Sequence, residues 1–160
     1  MRILLLYSLT IAISLHSAAQ NSFKRNAFYG ELGGNGLGLS VNYERQIWDK
    51  PGLGWHMGIG LGSDKPSIPL GAKYLFGLGG QKSFIETGLG ITLTGQDLLD
   101  DKYFFNNTGD NPYGVAFIPS LGYRHHHKRY GLMWSVNYTP FFSRYRNMLL
   151  YYGIAIGWRI

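Results

Sequence analysis

Alternation with a period of two is the sequence feature that most constrains how this chain can fold. In residues 31–45, "ELGGNGLGLSVNYER", a glycine cluster is followed by apolar residues that alternate with small or polar ones. Successive side chains of a strand point to opposite faces, so this pattern predicts a strand with one apolar face. The alternation recurs in residues 53–62, 67–77, 83–95, 114–126, 131–142 and 148–160. With the two strands of the first hairpin, the sequence predicts eight strands.

The glycine cluster also raises the question of a phosphate-binding loop. A P-loop ends in Gly-Lys-Ser/Thr, a dinucleotide loop reads G-x-G-x-x-G, and both open a helix. Neither spacing is present, and the residues that follow have strand periodicity. We therefore interpret Asn35-Gly36 as a type I′ hairpin turn. In that register Leu32 pairs with Leu39 and Phe28 with Tyr43, which keeps each face of the hairpin uniform.

The first residues of the chain are typical of an export signal. Arg2 precedes an apolar run from Ile3 to about Leu15, and Ser17-Ala18-Ala19 supplies small residues for cleavage. This pattern predicts a signal peptide over residues 1–19, cleaved before Gln20, and a single domain over 20–160. The chain contains no cysteine, which excludes disulfides and lipid attachment at a cysteine.

Composition and link lengths favour a membrane barrel. Glycine makes up 23 of 160 residues and aromatics 16%, whereas charged residues make up only 15%. The predicted mature region has no apolar run of roughly 18 residues, so no spanning helix is predicted. The one long link, 96–113, falls on the side where outer-membrane barrels keep long external loops. We therefore predict an all-β, eight-stranded antiparallel up-and-down transmembrane β-barrel in the bacterial outer membrane.

Several blocks of the chain resemble a known family. The segments "ELGGNGLGLSVNYER", "IPLGAKYLFG", "FIETGLGITLTG", "GYRHHHKRYGLMWSVNYTPFF" and "YYGIAIGW" resemble, in that order, a small outer-membrane β-barrel family common in Bacteroidota. The resemblance covers nearly all of the predicted mature chain. It implies the barrel and its location, and it implies no activity and no site residues.

The face predicted to point into the barrel carries balanced charge. Its six charged residues come from six strands: Glu31, Glu44, Lys73, Glu86, Arg124 and Arg159. The interior of an eight-stranded barrel is just filled by side chains, and buried charges must be paired. We therefore expect a structural ion-pair network that fills the lumen. The alternatives are a gated pore or proton path and an acid–base catalytic pair.

Two segments invite a metal hypothesis. In "RHHHKR", residues 124–129, a strand would point His125 and His127 to one face and His126 to the other, so the three do not converge on one ion. The long link contains the oxygen-rich "NNTGDNP", but it lacks the spacing of a calcium-binding EF-hand loop. No metal, no cofactor and no catalytic residue is therefore predicted.

Two other classes of function remain as alternatives. A lipid- or lipopolysaccharide-modifying barrel enzyme could use Ser135, His126 and Glu86, although all three have inward parity. A soluble, lipocalin-like ligand carrier would turn polar side chains outward, whereas this chain predicts an outward face with large aromatics. Nucleic-acid binding is not expected of an exported chain without a recognition helix or a stacking platform.

The predicted partners belong to the outer membrane. Four basic residues in external links are candidates for contact with lipopolysaccharide phosphates: Lys65, Lys102, Arg144 and Arg146. The barrel assembly machinery is expected to act during insertion, and the loop at 96–113 is a candidate site for a protein partner. The sequence thus favours an integral outer-membrane barrel with a filled lumen and a structural or interaction role, not catalysis or bulk transport.

Overall fold

A computed structural model describes residues 23–61, 66–79, 82–95, 113–127, 131–144 and 146–160 of the protein. The predicted signal peptide lies outside these residues, as do Lys65, Lys102 and most of the long link. The described chain is nearly all antiparallel β-structure. Among the described residues, no helix is long and apolar enough to cross a membrane.

Ten strands follow one another along the chain. The strands are β1 (Asn26–Gly33), β2 (Gly38–Gln46), β3 (Leu53–Leu61), β4 (Pro66–Gly77), β5 (Ser83–Gly95), β6 (Tyr113–His126), β7 (Leu132–Tyr138), β8 (Phe141–Ser143), β9 (Asn147–Met148) and β10 (Tyr152–Arg159). A short 3₁₀ turn, Gly34–Gly36, follows β1.

Eight of these strands close into a barrel. Strands β1 to β7 pair in sequence order, β7 pairs with β10, and β10 pairs with β1 to complete the circle. The short strands β8 and β9 pair with each other and extend the wall beyond β7, where β8 also pairs with β6. The fold class predicted from the alternation, a closed eight-stranded antiparallel barrel, is therefore confirmed.

The register of the first hairpin agrees with the prediction, but its turn does not. Leu32 pairs with Leu39 and Phe28 with Tyr43, as the alternation requires. The turn is not a two-residue type I′ turn at Asn35-Gly36, because the last pair is Gly33 with Gly38. Positive φ angles instead occur at Gly33, Gly34 and Leu37. A side chain added at Gly33 would meet the backbone carbonyl of Tyr152, so this position accepts only glycine.

The last two predicted strands are interrupted. The strand predicted over 131–142 breaks at Thr139-Pro140, where both residues are buried. Proline has no N–H and cannot donate to a strand ladder, which accounts for a break at this point. The strand predicted over 148–160 is likewise divided into β9 and β10 by residues 149–151.

Alternation gives the wall two chemically different faces. Inward residues of β1, β2 and β10 are buried, and their neighbours in sequence are mostly exposed. The exposed set is largely aliphatic or aromatic: Leu39, Val41 and Ile59 lie 57%, 66% and 66% exposed. The polar side chains lie within the barrel.

Candidate functional site

The centre of the lumen is occupied by Arg124 of β6. Its Nη1 donates to Oε1 of Glu44 on β2 at 2.7 Å. In the order around the barrel β2 and β6 are opposite strands, so this ion pair crosses the full width. The same guanidinium also pairs through Nε with Glu86 of β5. One cation thereby joins three strands, and all three side chains are fully buried.

Lys73 of β4 extends this network. Its ammonium group lies 2.8 Å from Oε1 of Glu86 and also donates to the hydroxyl of Tyr29 at 3.2 Å. The Tyr29 ring lies beneath the same ammonium, 5.1 Å from Nζ to its centroid. A hydrogen bond from Asn137 of β7 reaches Glu86 Oε1 at 3.4 Å. Glu86 therefore has partners on three other strands.

The remaining two predicted charges lie at the margins of the network. Arg159 of β10 is 3.4 Å from Glu44 Oε1, and its guanidinium stacks on the ring of Phe23 at 4.2 Å. Glu31 lies nearer the opposite end, where the backbone N–H of Asn35 donates to it. All six residues that the sequence assigned to the lumen are buried, and five of them form the ion pairs described here. Three acids and three bases make the ionised set neutral.

The turn after β1 folds into the lumen instead of projecting from it. Asn35 is 2% exposed, and its Nδ2 is 2.9 Å from Nε2 of His56. The backbone carbonyl of Asn35 accepts a hydrogen bond from the Thr92 hydroxyl at 2.5 Å, and the backbone carbonyl of Gly36 accepts one from the Ser67 hydroxyl at 2.7 Å. The turn thus bonds to β3, β4 and β5 and occupies the end of the lumen opposite the chain termini. The sequence predicted a hairpin turn at this point and gave no sign that the turn would fold into the lumen.

The other end of the lumen contains an aromatic group. The ring of Phe23, which precedes β1, lies 6.3 Å from that of Phe84 and 6.0 Å from that of His126. The rings of Phe84 and His126 also contact each other at a tilt, with 4.7 Å between centroids. Together with Arg159 these side chains occupy the end of the lumen at which both termini lie.

Apolar residues line more of the lumen than the alternation pattern predicts. Leu37 packs with Ala116, Ile118 and Phe141, and Met148 and Tyr151 pack against this cluster. A second cluster joins Ala27, Tyr29, Met133 and Ala155. The alternation predicts that Ile118 and Met133 point inward. Because each is a single apolar residue on a polar face, the sequence does not predict that they join apolar clusters.

The three residues of the hydrolase alternative do not form a hydrogen-bonded chain. Ser135 accepts a hydrogen bond from Asn137 at 3.3 Å, and Glu86 is held by Lys73 and Arg124. His126 contacts aromatic rings, and within the described part of the chain neither of its nitrogens has a hydrogen-bond partner. A triad needs the histidine bonded to both of its partners.

The neighbouring histidines point as the strand pattern predicts. His125 stacks on the outward ring of Trp134, 5.8 Å between centroids, whereas His126 is buried. No group of three or more histidines and carboxylates in the described ranges could hold a metal ion.

Of the candidate lipopolysaccharide contacts, the structure describes two. Arg144 is exposed beyond β8, and Arg146 lies in the turn between β8 and β9, where its backbone bonds to Ser143. Lys65 and Lys102 lie outside the described residues, as does nearly all of the candidate partner loop at 96–113.

The outward face carries a band of aromatic side chains near the termini. Phe28 pairs with Trp158 on one side and Tyr43 on the other, and the Tyr43 and Trp55 rings are 5.5 Å apart. Four further outward aromatics continue the band on β4, β6 and β7: Tyr74, Phe76, Tyr123 and Trp134. We call these eight residues the aromatic girdle. Seven of the eight barrel strands contribute to it.

The opposite end of the wall has a smaller aromatic group. Tyr138 and Tyr152 lie with their rings 5.6 Å apart, and Phe117 pairs with Phe142. Between the two aromatic levels the exposed residues are mostly aliphatic, such as Val136, Ile154 and Ile156 of the β7–β10 pair.

Comparison of the chain with protein-family models, with curated proteins and with solved structures returned no match.

Proposed function

We propose that this protein is an integral β-barrel of the bacterial outer membrane, with a structural or interaction role and without catalytic or bulk-transport activity. The observation that carries the proposal is that the polar and apolar faces of the wall are reversed relative to those of a soluble protein. Charged residues are inside the barrel, and an aliphatic belt bounded by aromatic rings is outside. Water would oppose this arrangement, whereas a bilayer favours it.

The outward face supports a membrane location in two ways. Its apolar residues form a continuous belt around the closed wall, far beyond the scattered apolar residues normal on soluble proteins. Its aromatic girdle resembles the rings of tyrosine and tryptophan found at the two membrane interfaces of such barrels. Closure also leaves no unpaired strand edge along most of the wall, which the hydrocarbon interior requires.

The lumen supports a role other than transport. Arg124 and Glu44 meet across the full diameter, and the β1–β2 turn and the Phe23 ring occupy the two ends. A water-filled channel needs an unobstructed polar path, which larger barrels provide. The ion pairs therefore favour a lumen that is filled by fixed side chains, which hold the wall of the barrel together.

The alternatives receive less support. A soluble carrier would need its apolar side inside, around a ligand, whereas here the centre of the lumen is charged. A lipid-modifying enzyme would need a nucleophile and base facing the bilayer, and Ser135 and His126 are buried inside the barrel.

Membrane fractionation combined with electrophoretic mobility tests the proposal. The protein, expressed with its own leader in a Gram-negative host, is expected in the outer-membrane fraction. Unheated samples should migrate faster than boiled ones, because a closed barrel resists detergent unfolding. A soluble periplasmic protein would contradict the proposal.

A further inference from the structure

The net positive charge of the protein is concentrated at one end of the barrel. The predicted mature region has 14 bases (15 less Arg2) and 9 acids, and three of each are buried in the lumen. Five bases lie outside the lumen at the end that carries the termini, and we call them the basic collar: Lys24, Arg25, Arg45, Lys50 and Lys82. Asp49 is the single acid described at this end.

Among the described residues, the collar has little negative charge beside it. Asp49 lies 3.5 Å from Arg25, whose guanidinium also donates to the carbonyls of Gln46 and Ile47. Lys24, Arg45, Lys50 and Lys82 are exposed. The sequence of the β6–β7 link adds Lys128 and Arg129, which lie outside the described residues. In contrast, the sequence of the links at the other end contains five aspartates against four bases.

The collar adjoins the aromatic girdle. Arg45 pairs directly with Trp55 across the β2–β3 ladder, and Phe28 lies three residues after Arg25. Lys50 lies in the turn that joins those strands, and Lys82 immediately precedes β5. Cations just beyond a band of interfacial aromatics lie at the depth of phospholipid head groups.

We propose that the basic collar is a binding surface for anionic phospholipid head groups in the leaflet that contacts the terminal end of the barrel. The proposal rests on the membrane location proposed above and names the lipid chemistry that this end selects. Each lysine or arginine near an anionic surface contributes about 1 kcal/mol, or about a fivefold preference in occupancy.

An acidic protein or a cell-wall polymer is a less suitable partner. Four of the five collar residues come from the N-terminal segment, β2 and the β2–β3 turn, which are adjacent along the wall, and Lys82 comes from the turn between β4 and β5. An acidic macromolecule in water would contact these cations but not the apolar girdle beside them. A phospholipid contacts both, with its head group at the cations and its acyl chains along the girdle.

The tryptophans of the protein report directly on this region. All four, Trp48, Trp55, Trp134 and Trp158, are outward and lie at the collar end. The folded protein is reconstituted in phosphatidylcholine vesicles that contain an equal mole fraction of either brominated phosphatidylglycerol or brominated phosphatidylcholine. Bromine on matched acyl positions quenches tryptophan, so the difference between the two measures head-group selection.

We expect brominated phosphatidylglycerol to quench more strongly at low salt, and the excess to disappear at about 1 M salt, where the screening length falls to about 3 Å. The quadruple variant K24Q/R45Q/K50Q/K82Q should lose the excess and keep the quenching by brominated phosphatidylcholine. R144Q, at the opposite end, should behave like the wild type. Heat-modifiable electrophoretic mobility checks that each variant is folded. The salt titration uses the wild-type protein, so it tests the proposal even if a variant fails to fold.

The outcomes separate the two proposals. If neither lipid quenches the folded protein, the apolar belt is not in lipid and the membrane proposal fails. If both lipids quench equally at low salt, or if the excess survives in the quadruple variant, the protein is in the membrane but the collar does not select anionic head groups.

Discussion

Arg124 and Glu44 join opposite walls of the barrel, with 2.7 Å between guanidinium Nη1 and carboxylate Oε1. Neither residue is near the other in sequence, since 80 positions separate them. Arg124 holds Glu86 as well, so one side chain braces three strands from inside. These ion pairs explain how a narrow barrel accommodates buried charged side chains in its interior.

Removal of this central cation should destabilise the barrel strongly. R124M leaves Glu44 with a more distant cation, Arg159 at 3.4 Å, and the neutral Gln46 amide at 3.0 Å. We therefore expect a loss of about 3–5 kcal/mol in the free energy of unfolding. Denaturant titration of the protein folded in lipid vesicles measures it. The exposed R144Q, as the matched control, should change stability by no more than about 0.5 kcal/mol. An R124M barrel as stable as the wild type would show that the network contributes little.

The double variant E44Q/R124M should cost less than the sum of the two single variants. Each single substitution takes from the remaining buried charge one of its ion-pair partners, whereas the double one removes both members of the pair. The same titration, arranged as a double-mutant cycle, gives the coupling energy. Strict additivity would mean that Arg124 and Glu44 do not interact in the folded barrel.

Neighbouring positions of β7 should differ in contact with lipid. Val136 is 44% exposed and Asn137 is 1% exposed. Single-cysteine variants at 136 and 137, labelled with a fluorophore and examined with lipid-depth quenchers, should be quenched at 136 and not at 137. The opposite result would reverse the two faces of the wall. In the same lipid, I91R should cost about 2–4 kcal/mol if residue 91 lies near the bilayer midplane.

Two glycines of β4 provide a matched test of packing inside the wall. A Cβ at Gly71 would lie 2.5 Å from the Leu89 carbonyl oxygen and 2.7 Å from the His56 ring, whereas a Cβ at Gly77 meets nothing within 4 Å. We expect G71A to cost about 1–3 kcal/mol by overpacking and G77A to be close to neutral. Unfolding midpoints of the two variants in one detergent compare them directly, and equal midpoints would rule out tight packing around Gly71.

The filled lumen should not conduct ions appreciably. Ion pairs cross its centre, and Asn35 bonds to His56 and Thr92 at one end. In planar bilayers, the folded protein should give negligible conductance under conditions in which a porin gives large steps. Stable ion-selective channels of porin size would show that the network opens.

Much of the fold was readable from the sequence because strand alternation is a local property. In lipid each strand has one apolar side, so the parity of Val41, Ile91 or Ile154 fixes which of its neighbours point inward. Parity alone placed Glu31, Glu44, Lys73, Glu86, Arg124 and Arg159 in one interior, and together with the turn centred on Asn35-Gly36 it predicted the pairing of Leu32 with Leu39. The alternation did not predict the break at Thr139-Pro140. The outward residues on its two sides, Tyr138 and Phe142, are an even number of positions apart, as they would be in one continuous strand.

The partners inside the barrel were decided only by closure of the sheet. Alternation along a strand says nothing about distances across a lumen, so the pairing of Arg124 with Glu44, and not with Glu31, depends on the tilt and stagger of the whole wall. The inward fold of the Gly34–Gly36 turn has the same origin. Asn35 and Gly36 favour a hairpin turn locally, but His56, Thr92 and Ser67 offer hydrogen bonds from three other strands, and those bonds exist only once the barrel has closed.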